Sequence, residues 1–523
     1  MGRSQYAEQQ TASPRSGLLR VPGRVCTVWA LLMVLFACEG VDQEAGPAST
    51  SSIREPTGDR SARITRVVNG LRHEITFTNR PDSAMSLTSR MGHYRVPAVA
   101  IAVIDDYRVA WVRTFGSKPA GADQPVTEET LFHAKSVSKP VAAVSALKLV
   151  ERGELSLDVP LDSLLTSWSV PDNEHTRATE PTLRHLLSHS GGFTRGGVDS
   201  YLPSEELPTL LESLRGRAPA TVDPVTVDFE PGTGTRYSGG GYGVLQLLLQ
   251  DRTGRSFAAL TDSLVFRPRG MHHSYFPRKM PAELEPIAAT GHDVHGEPVP
   301  GGREILPIQA AGGLWSTARD LARFVVALEE AWAERSDDLL GRATVREMMT
   351  PHADDWGLGL RLSRPDSVLR FQHTGSGDGF RAIIVGYPSR GDGAVVLANA
   401  DGAGELRYEI LRAAAVEYGW PGYRRDRRTM ASVDSGSVAQ LAGHYEWNSG
   451  IVTTVRHRDG RLEARFGDEG RFRPLMPIGT DEFVTWSNEI YAFRRDSAGT
   501  PAGLTWRGEN GDEYSAVRLD AGP

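Results

Sequence analysis

A serine and a lysine three residues apart, Ser136 and Lys139, are the pair in this sequence with the clearest potential for catalysis. They stand at the head of an apolar stretch predicted to be helical, where residues i and i+3 share one face. A hydroxyl beside an amine that accepts its proton is the nucleophile of a serine hydrolase. Pro140 would clash with the carbonyl of Ser136 inside a helix, so we predict Ser136 at the helix start, near unpaired N–H groups and the positive dipole end.

The spacing alone is weak evidence, because the chain has five lysines and a second one, Lys148, also follows a serine, Ser145, by three residues. Ser145 lies nine residues after Ser136, which is about half a turn round the same helix. We interpret Ser145 as an ordinary mid-helix serine with Lys148 in solvent. The case for Ser136 therefore depends on other segments of the chain.

Two further segments carry residues that such a hydrolase needs. Tyr237 stands in a glycine-rich stretch before a predicted helix, where its phenol could approach a buried lysine and relay a proton to a leaving group. Residues 371–377 end a strand in small residues, against which a substrate carbonyl can lie. A backbone N–H there could form an oxyanion hole with the N–H of Ser136. Taken alone, each segment is also typical of a structural turn.

The elements that must position these residues follow from hydrophobic periodicity and turn residues. Strands are predicted near both ends of the main body and helices between them, so one sheet would be built from distant segments of an α+β fold. The predicted strands are residues 96–104, 108–115, 369–373, 380–387 and 393–398; the predicted helices include 182–187, 243–252 and 317–332.

The chain is long enough, at 523 residues, for a large domain and a smaller one. We place the main domain at residues 64–420, a basic linker with solvated charges at 421–437, and a small all-β domain at 438–523, where short alternating strands are separated by turns. The small domain contains no lysine and no cysteine, and we interpret it as a packing or accessory domain.

The first 24 residues carry four arginines and one glutamate, and the apolar run at 25–37 is too short to span a bilayer. We predict a signal peptide at residues 1–37 and a flexible tether at 38–63. Residues 35–38 resemble a bacterial lipobox, which would make Cys38 the lipidated first residue of the mature protein. The alternative is a plain secretory signal. The body is expected in the periplasm or cell envelope, or secreted if Cys38 is not lipidated.

The composition excludes some functions. A net charge of −7 and a pI near 6.1 leave no basic footprint for nucleic acid. Both cysteines lie in the first forty residues, so the body has no internal disulfide framework. The expected partner is a small-molecule or peptide substrate, the membrane is reached only through the possible lipid anchor, and the protein is expected to be a monomer.

Taken in order, these motifs resemble the serine β-lactamase and penicillin-binding-protein superfamily, in particular the branch that holds class C β-lactamases, D-stereospecific peptidases and related esterases. The resemblance covers residues 64–420 and extends to the phrases at 130–132, 149–158, 186–192 and 312–321. It implies an antiparallel sheet flanked by helices, with an all-α subdomain. The C-terminal unit resembles the lipocalin-like β domain that often follows such hydrolases.

The resemblance also implies roles for the motif residues. Ser136 would be the acylated nucleophile, Lys139 its base, and Tyr237 the proton shuttle in acylation and deacylation. The oxyanion hole would use the backbone of Ser136 and Ser376, and no metal or organic cofactor is implied. A free lysine has a pKa of about 10.4, so a lysine base requires burial and cationic neighbours. Tyr237 is the alternative base.

Two motifs depart from the lactamase pattern. Gly239 stands where a Tyr-x-Asn motif has the asparagine that grips a substrate amide, and His373-Thr374-Gly375 replaces a Lys-Thr-Gly motif whose cation attracts a substrate carboxylate. Histidine is mostly neutral at pH 7. We therefore expect a hydrolase of esters or peptides rather than an efficient β-lactamase. The alternative is a catalytically weak protein that keeps the fold to bind cell-wall peptide or a partner.

Two other enzyme classes fit less well. His185 and His189, with the cluster at 292–295, offer zinc ligands, but there is no H-E-x-x-H pattern. The resemblance instead places His189 in a structural turn. An α/β-hydrolase would normally show a G-x-S-x-G elbow, and no serine here is flanked in that way.

Overall fold

The structure is a computed structural model that describes residues 57–194, 199–468, 470–508 and 513–519. The α-helices of the described residues are α1 Thr57–Val68, α2 Leu87–Tyr94, α3 Ser138–Glu151, α4 Glu174–Ala178, α5 Leu183–Leu187, α6 Leu210–Arg215, α7 Gly239–Thr253, α8 Phe257–Thr261, α9 Gln309–Gly312, α10 Ala318–Trp332, α11 Arg342–Met348, α12 Ala403–Tyr418 and α13 Ser435–Ala439.

The strands of the main body are β1 Ile75–Phe77, β2 Ala98–Asp105, β3 Arg108–Gly116, β4 Phe132–Lys135, β5 Leu314–Ser316, β6 Arg361–Ser363, β7 Arg370–Gly377, β8 Phe380–Tyr387 and β9 Asp392–Ala398. The remaining strands are β10 Asp426–Arg428, β11 Gly443–Trp447, β12 Val452–Arg458, β13 Arg461–Phe466, β14 Arg473–Pro477, β15 Glu482–Val484, β16 Ile490–Arg495, β17 Pro501–Arg507 and β18 Glu513–Leu519.

The central sheet is antiparallel and has the strand order β3-β2-β9-β8-β7-β6. Strand β2 near the start of the body pairs with β9 near its end, for example Val99 with Ala398. Alternate residues of β2 enter two different hydrophobic clusters, one on each face of the sheet. The predicted sheet built from distant segments is thereby confirmed, and its continuous apolar strands are explained by burial on both faces.

Helices cover both faces of this sheet. Helix α12 packs on β8 and β9 and also contacts α1 and α2. Helix α10 packs across β2, β3, β8 and β9. Helix α3 lies among α7, α8 and α9 rather than on solvent, and most of its residues are buried. The predicted α+β class is confirmed, and α3 is held within the helical part of the molecule.

The predicted flexible tether at residues 38–63 is wrong at its C-terminal end, because α1 begins at Thr57. Ile64 and Val67 of this helix are buried against the α12 side of the sheet, and Arg63 forms an ion pair with Asp105 at 3.0 Å. The polar composition of residues 57–63 hid an amphipathic helix that tertiary packing stabilises.

The C-terminal unit is a closed barrel of β11 to β18, which confirms the predicted small barrel-like domain. Each strand pairs with its neighbour in the chain, and β11 pairs with β18 to close the ring. The predicted linker is not simply solvated. Strand β10 pairs in parallel with β1, and Arg425 forms a two-pronged ion pair with Asp82.

Among the described residues, no helix combines the length and apolar character needed to cross a bilayer. The predicted signal peptide, Cys38 and most of the tether lie outside the described residues.

Candidate active site

Ser136 lies in the turn between β4 and α3. The helix begins two residues later, at Ser138, and the Lys139 N–H donates to the Ser136 carbonyl at 3.0 Å. This backbone bond joins residues i and i+3, so Ser136 and Lys139 lie on one face, as their spacing predicted. The Ser138 hydroxyl donates to the Lys135 carbonyl at 2.6 Å and accepts the Leu314 N–H at 2.9 Å, so the turn is tied to β5.

Lys139 is 1% exposed and points back towards the serine. Its Nζ lies 3.2 Å from Ser136 Oγ and 2.7 Å from the carbonyl oxygen of Ala311 in α9. Helix α9 is tied to α7 beside this carbonyl, because the Gln246 side chain accepts the N–H of Ala310 at 3.0 Å. The burial that a lysine base requires is therefore present.

Tyr237 reaches the same place from the loop before α7. The centre of its ring lies 4.6 Å from Lys139 Nζ. The loop is anchored on His189, whose carbonyl accepts the Arg236 N–H at 2.8 Å and whose Nδ1 accepts the Ser238 N–H at 3.2 Å. The His189 ring also packs against the Tyr237 ring, with 4.5 Å between centres. Fold and loop thus bring together Ser136, Lys139 and Tyr237.

His373, from β7, is the next residue of the site. It is buried, its ring centre lies 6.1 Å from that of Tyr237, and its Nδ1 is 2.7 Å from the Thr374 carbonyl oxygen. Desolvation, with a smaller contribution from Lys139, lowers the pKa of His373 to about 3. Desolvation likewise lowers the pKa of His189 well below its usual value. Both histidines beside Lys139 are therefore neutral at pH 7 and add no positive charge.

The end of β7 passes directly against the strand that leads to Ser136. A side chain at Gly375 would collide with the carbonyl oxygen of Ala134, so this close crossing requires glycine. Strand β6 pairs only with β7 residues 370–372, and among the described residues no strand pairs with the outer edge of the Thr374–Ser376 segment. Ser376 is exposed there. A substrate carbonyl can therefore reach this edge.

Gly239 is the first residue of α7 and is buried two positions after Tyr237. The helix is capped by Ser238, whose hydroxyl accepts the Gly241 N–H at 2.9 Å. Gly239 brings no side chain to the site, so it cannot grip a substrate amide as an asparagine would. The helix begins four residues before the predicted start at residue 243, because three successive glycines, which are poor helix formers, concealed its first turn in the sequence.

Trp356 also lines the site, and the sequence analysis did not single it out. Its ring lies 4.6 Å from His189, 5.7 Å from Tyr237 and 5.8 Å from His373, measured between centres. The signal available was a tryptophan followed closely by two glycines. Gly359, in a left-handed conformation with φ +83°, lies against the first turns of α3, where a side chain would meet Ala143.

The histidines considered as zinc ligands have structural partners. His185 Nδ1 accepts the Thr182 N–H at 3.2 Å in the cap of α5, and His292 Nε2 accepts the Ala120 N–H at 3.0 Å. Across the described parts of the chain, no three His, Cys, Asp or Glu side chains form a group that could hold a metal ion.

The beta-lactamase family matches residues 86–417, more than half of the chain. Penicillin-binding protein 4* of Bacillus subtilis (strain 168) is 24% identical over 449 residues, which cover 78% of this chain and 92% of that protein. Esterase EstB of Burkholderia gladioli is 34% identical over 217 residues, which cover 38% of this chain and 52% of the esterase. A D-aminopeptidase of Gluconobacter oxydans (strain 621H) is 24% identical over 404 residues, covering 75% and 70%.

A solved class C beta-lactamase mutant shares the fold, with a TM-score of 0.53 and 22% identity, over 68% of this chain and 98% of that one. The match includes the turn of Ser136, the loop of Tyr237 and strand β7. With the fold and the site geometry in agreement, the chain belongs to the beta-lactamase family.

Proposed function

We propose that this protein is an extracytoplasmic serine hydrolase that forms an acyl-enzyme at Ser136, with esters or peptides as its substrates. The observation that carries the proposal is the 3.2 Å approach of Lys139 Nζ to Ser136 Oγ beneath the ring of Tyr237. A nucleophile within hydrogen-bond reach of a base, which other groups hold in place, is the geometry that nucleophilic catalysis requires.

In acylation, Ser136 Oγ bonds to the substrate carbonyl carbon and its proton passes to Lys139 Nζ. Burial disfavours the charged form of an amine, which suits a proton acceptor. The carbonyl oxygen becomes an oxyanion, which the backbone N–H groups of Ser136 and Ser376 would hold. Tyr237 is the alternative base.

The leaving group then departs with the proton. As its bond to the carbon breaks, its oxygen or nitrogen receives the proton from Lys139 through the phenol of Tyr237. In deacylation, water gives a proton to the same relay and its oxygen attacks the acyl carbon. The Ser136 oxygen leaves, regains the proton, and the carboxylic acid product is released.

The substrate class follows from what lies around this relay. Neutral His373 stands where the lactamase pattern has a cation, and Arg361, a second cation that acts on His373 more weakly than Lys139, is already ion-paired with Asp355 at 2.5 Å. The absence of a free cation in this part of the site, among the residues that the structure describes, together with Gly239, supports substrates that are bound without an ion pair to a carboxylate and without a hydrogen bond from an asparagine side chain. An esterase and a D-aminopeptidase among the relatives agree with that choice. The proposed location is the periplasm or cell envelope, through the leader and Cys38.

A rate panel tests the proposal. The substrates are short-chain p-nitrophenyl esters, D-amino-acid p-nitroanilides, a D-Ala-D-Ala peptide and a chromogenic cephalosporin, and a fluorophosphonate probe reports acylation. We expect the esters or D-amino-acid amides to be turned over fastest, and labelling to vanish in Ser136→Ala but persist in Ser145→Ala.

Two results would contradict parts of this proposal. Turnover of the cephalosporin far above all other substrates would contradict the substrate class. Absence of labelling by both the probe and penicillin would contradict the enzyme and favour the binding protein that Gly239 and His373 leave as the alternative.

A further inference from the structure

Lys135, the residue directly before the proposed nucleophile, is held in a costly arrangement. Its backbone is left-handed, with φ +52°, which a residue other than glycine rarely adopts. Its side chain is 1% exposed, and a buried ammonium is unfavourable unless it is paired. Two independent costs at one residue point to a task for this side chain.

The partner of Lys135 is Glu304, from the segment before α9. Lys135 Nζ lies 2.5 Å from Glu304 Oε1, and the same oxygen accepts the backbone N–H of Asp378 at 3.1 Å. Asp378 follows β7 and stands two residues after Ser376. The ion pair therefore bridges the residue before Ser136 and the end of the strand that carries Ser376.

The packing around Gly377 shows how close this bridge is. A Cβ added there would lie 2.5 Å from Glu304 Oε1 and 3.0 Å from Cδ and Cε of Lys135, so the lysine stem fills the space that a side chain would need. On the other side of Ser376, Gly375 lies against Ala134. The segment with Ser376 is thus fixed at two points to the strand that leads into Ser136.

We propose that Lys135 and Glu304 are positioning residues that set the separation between the backbone N–H groups of Ser136 and Ser376. This inference rests on the proposed function, in which these two groups form the oxyanion hole. Oxyanion donors act because they are already in place when charge develops, and a displacement of about 1 Å costs on the order of 100-fold in rate. Lys135 and Glu304 need not touch the substrate to have this effect.

A double variant, Lys135→Met with Glu304→Gln, separates positioning from simple stability. Each single variant strands a buried charge and is expected to be unstable. The double variant removes both charges, keeps the length of the Glu304 side chain and all but the last atom of the Lys135 side chain, and leaves an amide oxygen for the Asp378 N–H. It breaks the link between the strands.

We expect the double variant to keep its Tm within a few degrees, to lose at least about 10-fold in kcat on a p-nitrophenyl ester, and to keep KM within about two-fold. The affinity for a boronic acid, which occupies the oxyanion hole as a transition-state analogue, should fall by the same factor as kcat. A double variant with wild-type Tm, kcat and boronic acid affinity would overturn the inference.

Another buried ion pair provides the matched control. Arg90 and Glu409 join α2 to α12 at 2.7 Å, on the other side of the sheet. Arg90→Met with Glu409→Gln should leave kcat and boronic acid affinity unchanged at any temperature where the variant is folded. An equal loss of kcat in this control would show that general loosening, and not positioning, explains the effect.

A readout without turnover distinguishes this inference from the proposed function. Amide hydrogen exchange in the peptide covering residues 374–379 should rise at least about 10-fold in the Lys135/Glu304 double variant and stay unchanged in the control. Inactivity of the wild-type protein would count against the proposed function, whereas unchanged exchange would count against the positioning pair.

Discussion

Two serine–lysine pairs have the same spacing, one where α3 begins and one in its third turn, and only the first pair is brought near other reactive groups. Near the helix start, Lys139 lies 3.2 Å from Ser136 Oγ. Nine residues on, the fully buried Ser145 donates to the Val141 carbonyl at 3.0 Å, within the helix itself. Lys148 instead lies 3.5 Å from Glu151, with its side chain 18% exposed.

The difference comes from which partners the rest of the chain supplies. The Ser145 hydroxyl is used by the carbonyl four residues back, as is common for serine inside a helix. Ser136 precedes the helix. Lys139 contacts Ala311 and Tyr237, which come from distant segments of the chain. The comparison teaches that the serine–lysine spacing is necessary for this site, whereas position at the helix start decides which serine gains a relay.

The largest expected effect is on the serines themselves. Ser136→Ala should lower kcat for a p-nitrophenyl ester by at least about 10⁴-fold, since the oxygen on which the proposed acyl-enzyme forms is removed. Ser145→Ala should stay within two-fold, with at most a modest loss of stability. Steady-state kinetics on both variants would break the comparison if their activities were similar.

The lysines should differ almost as strongly. Lys139→Met keeps the bulk of the buried stem but removes the proton acceptor, and general-base contributions of about 10²–10⁴-fold lead us to expect a loss of about 10³-fold in kcat. Lys148→Met should have no measurable effect on kcat. Retained labelling by the fluorophosphonate probe at the wild-type rate in Lys139→Met would assign the base to Tyr237.

Two tyrosines flank Lys139 Nζ and give the next test. The ring centres of Tyr237 and Tyr242 lie 4.6 and 5.5 Å from that nitrogen, but the Tyr242 hydroxyl is 3.4 Å from the Leu187 carbonyl oxygen in a fully buried site. Tyr237→Phe should lower kcat about 10²-fold because the relay loses its hydroxyl. Tyr242→Phe should cost about 1 kcal/mol of stability and leave kcat unchanged. Equal kinetic effects would contradict the relay.

The smallest expected effect concerns His373, one of the two neutral histidines beside Lys139. Because the folded protein lowers the pKa of His373 to about 3, the unfolded chain alone binds this proton between about pH 6.5 and pH 3. This group therefore lowers the free energy of unfolding as pH falls through that window, by up to about 1.4 kcal/mol per pH unit.

His373→Gln should flatten the pH dependence of stability in this window. Urea unfolding of the wild-type protein and the variant at pH 4, 5, 6 and 7 measures the difference. Curves that run parallel from pH 7 to pH 4 would show that His373 is protonated as easily as a solvated histidine, and the contrast between the buried Lys139 and the partly exposed Lys148 would weaken.

Much of the frame could be predicted because it depends on local patterns. Apolar runs and turn residues predicted the strands on both sides of a helical middle, and the order of motifs predicted the fold class. The prediction failed where polar composition concealed packing. The helix α1 was assigned to a tether, and Arg425 was placed in solvent although it pairs with Asp82.

The sequence by itself determined the serine–lysine spacing, the glycines that permit close strand crossing, and the missing cation and amide at His373 and Gly239. Only the tertiary structure decided that Trp356 lines the site and that Lys135 is paired with Glu304, 169 residues away. The physical reason is that residue type and short spacing can be read from the sequence. Burial and ion pairing depend on segments that are distant in the chain and meet only in the folded protein.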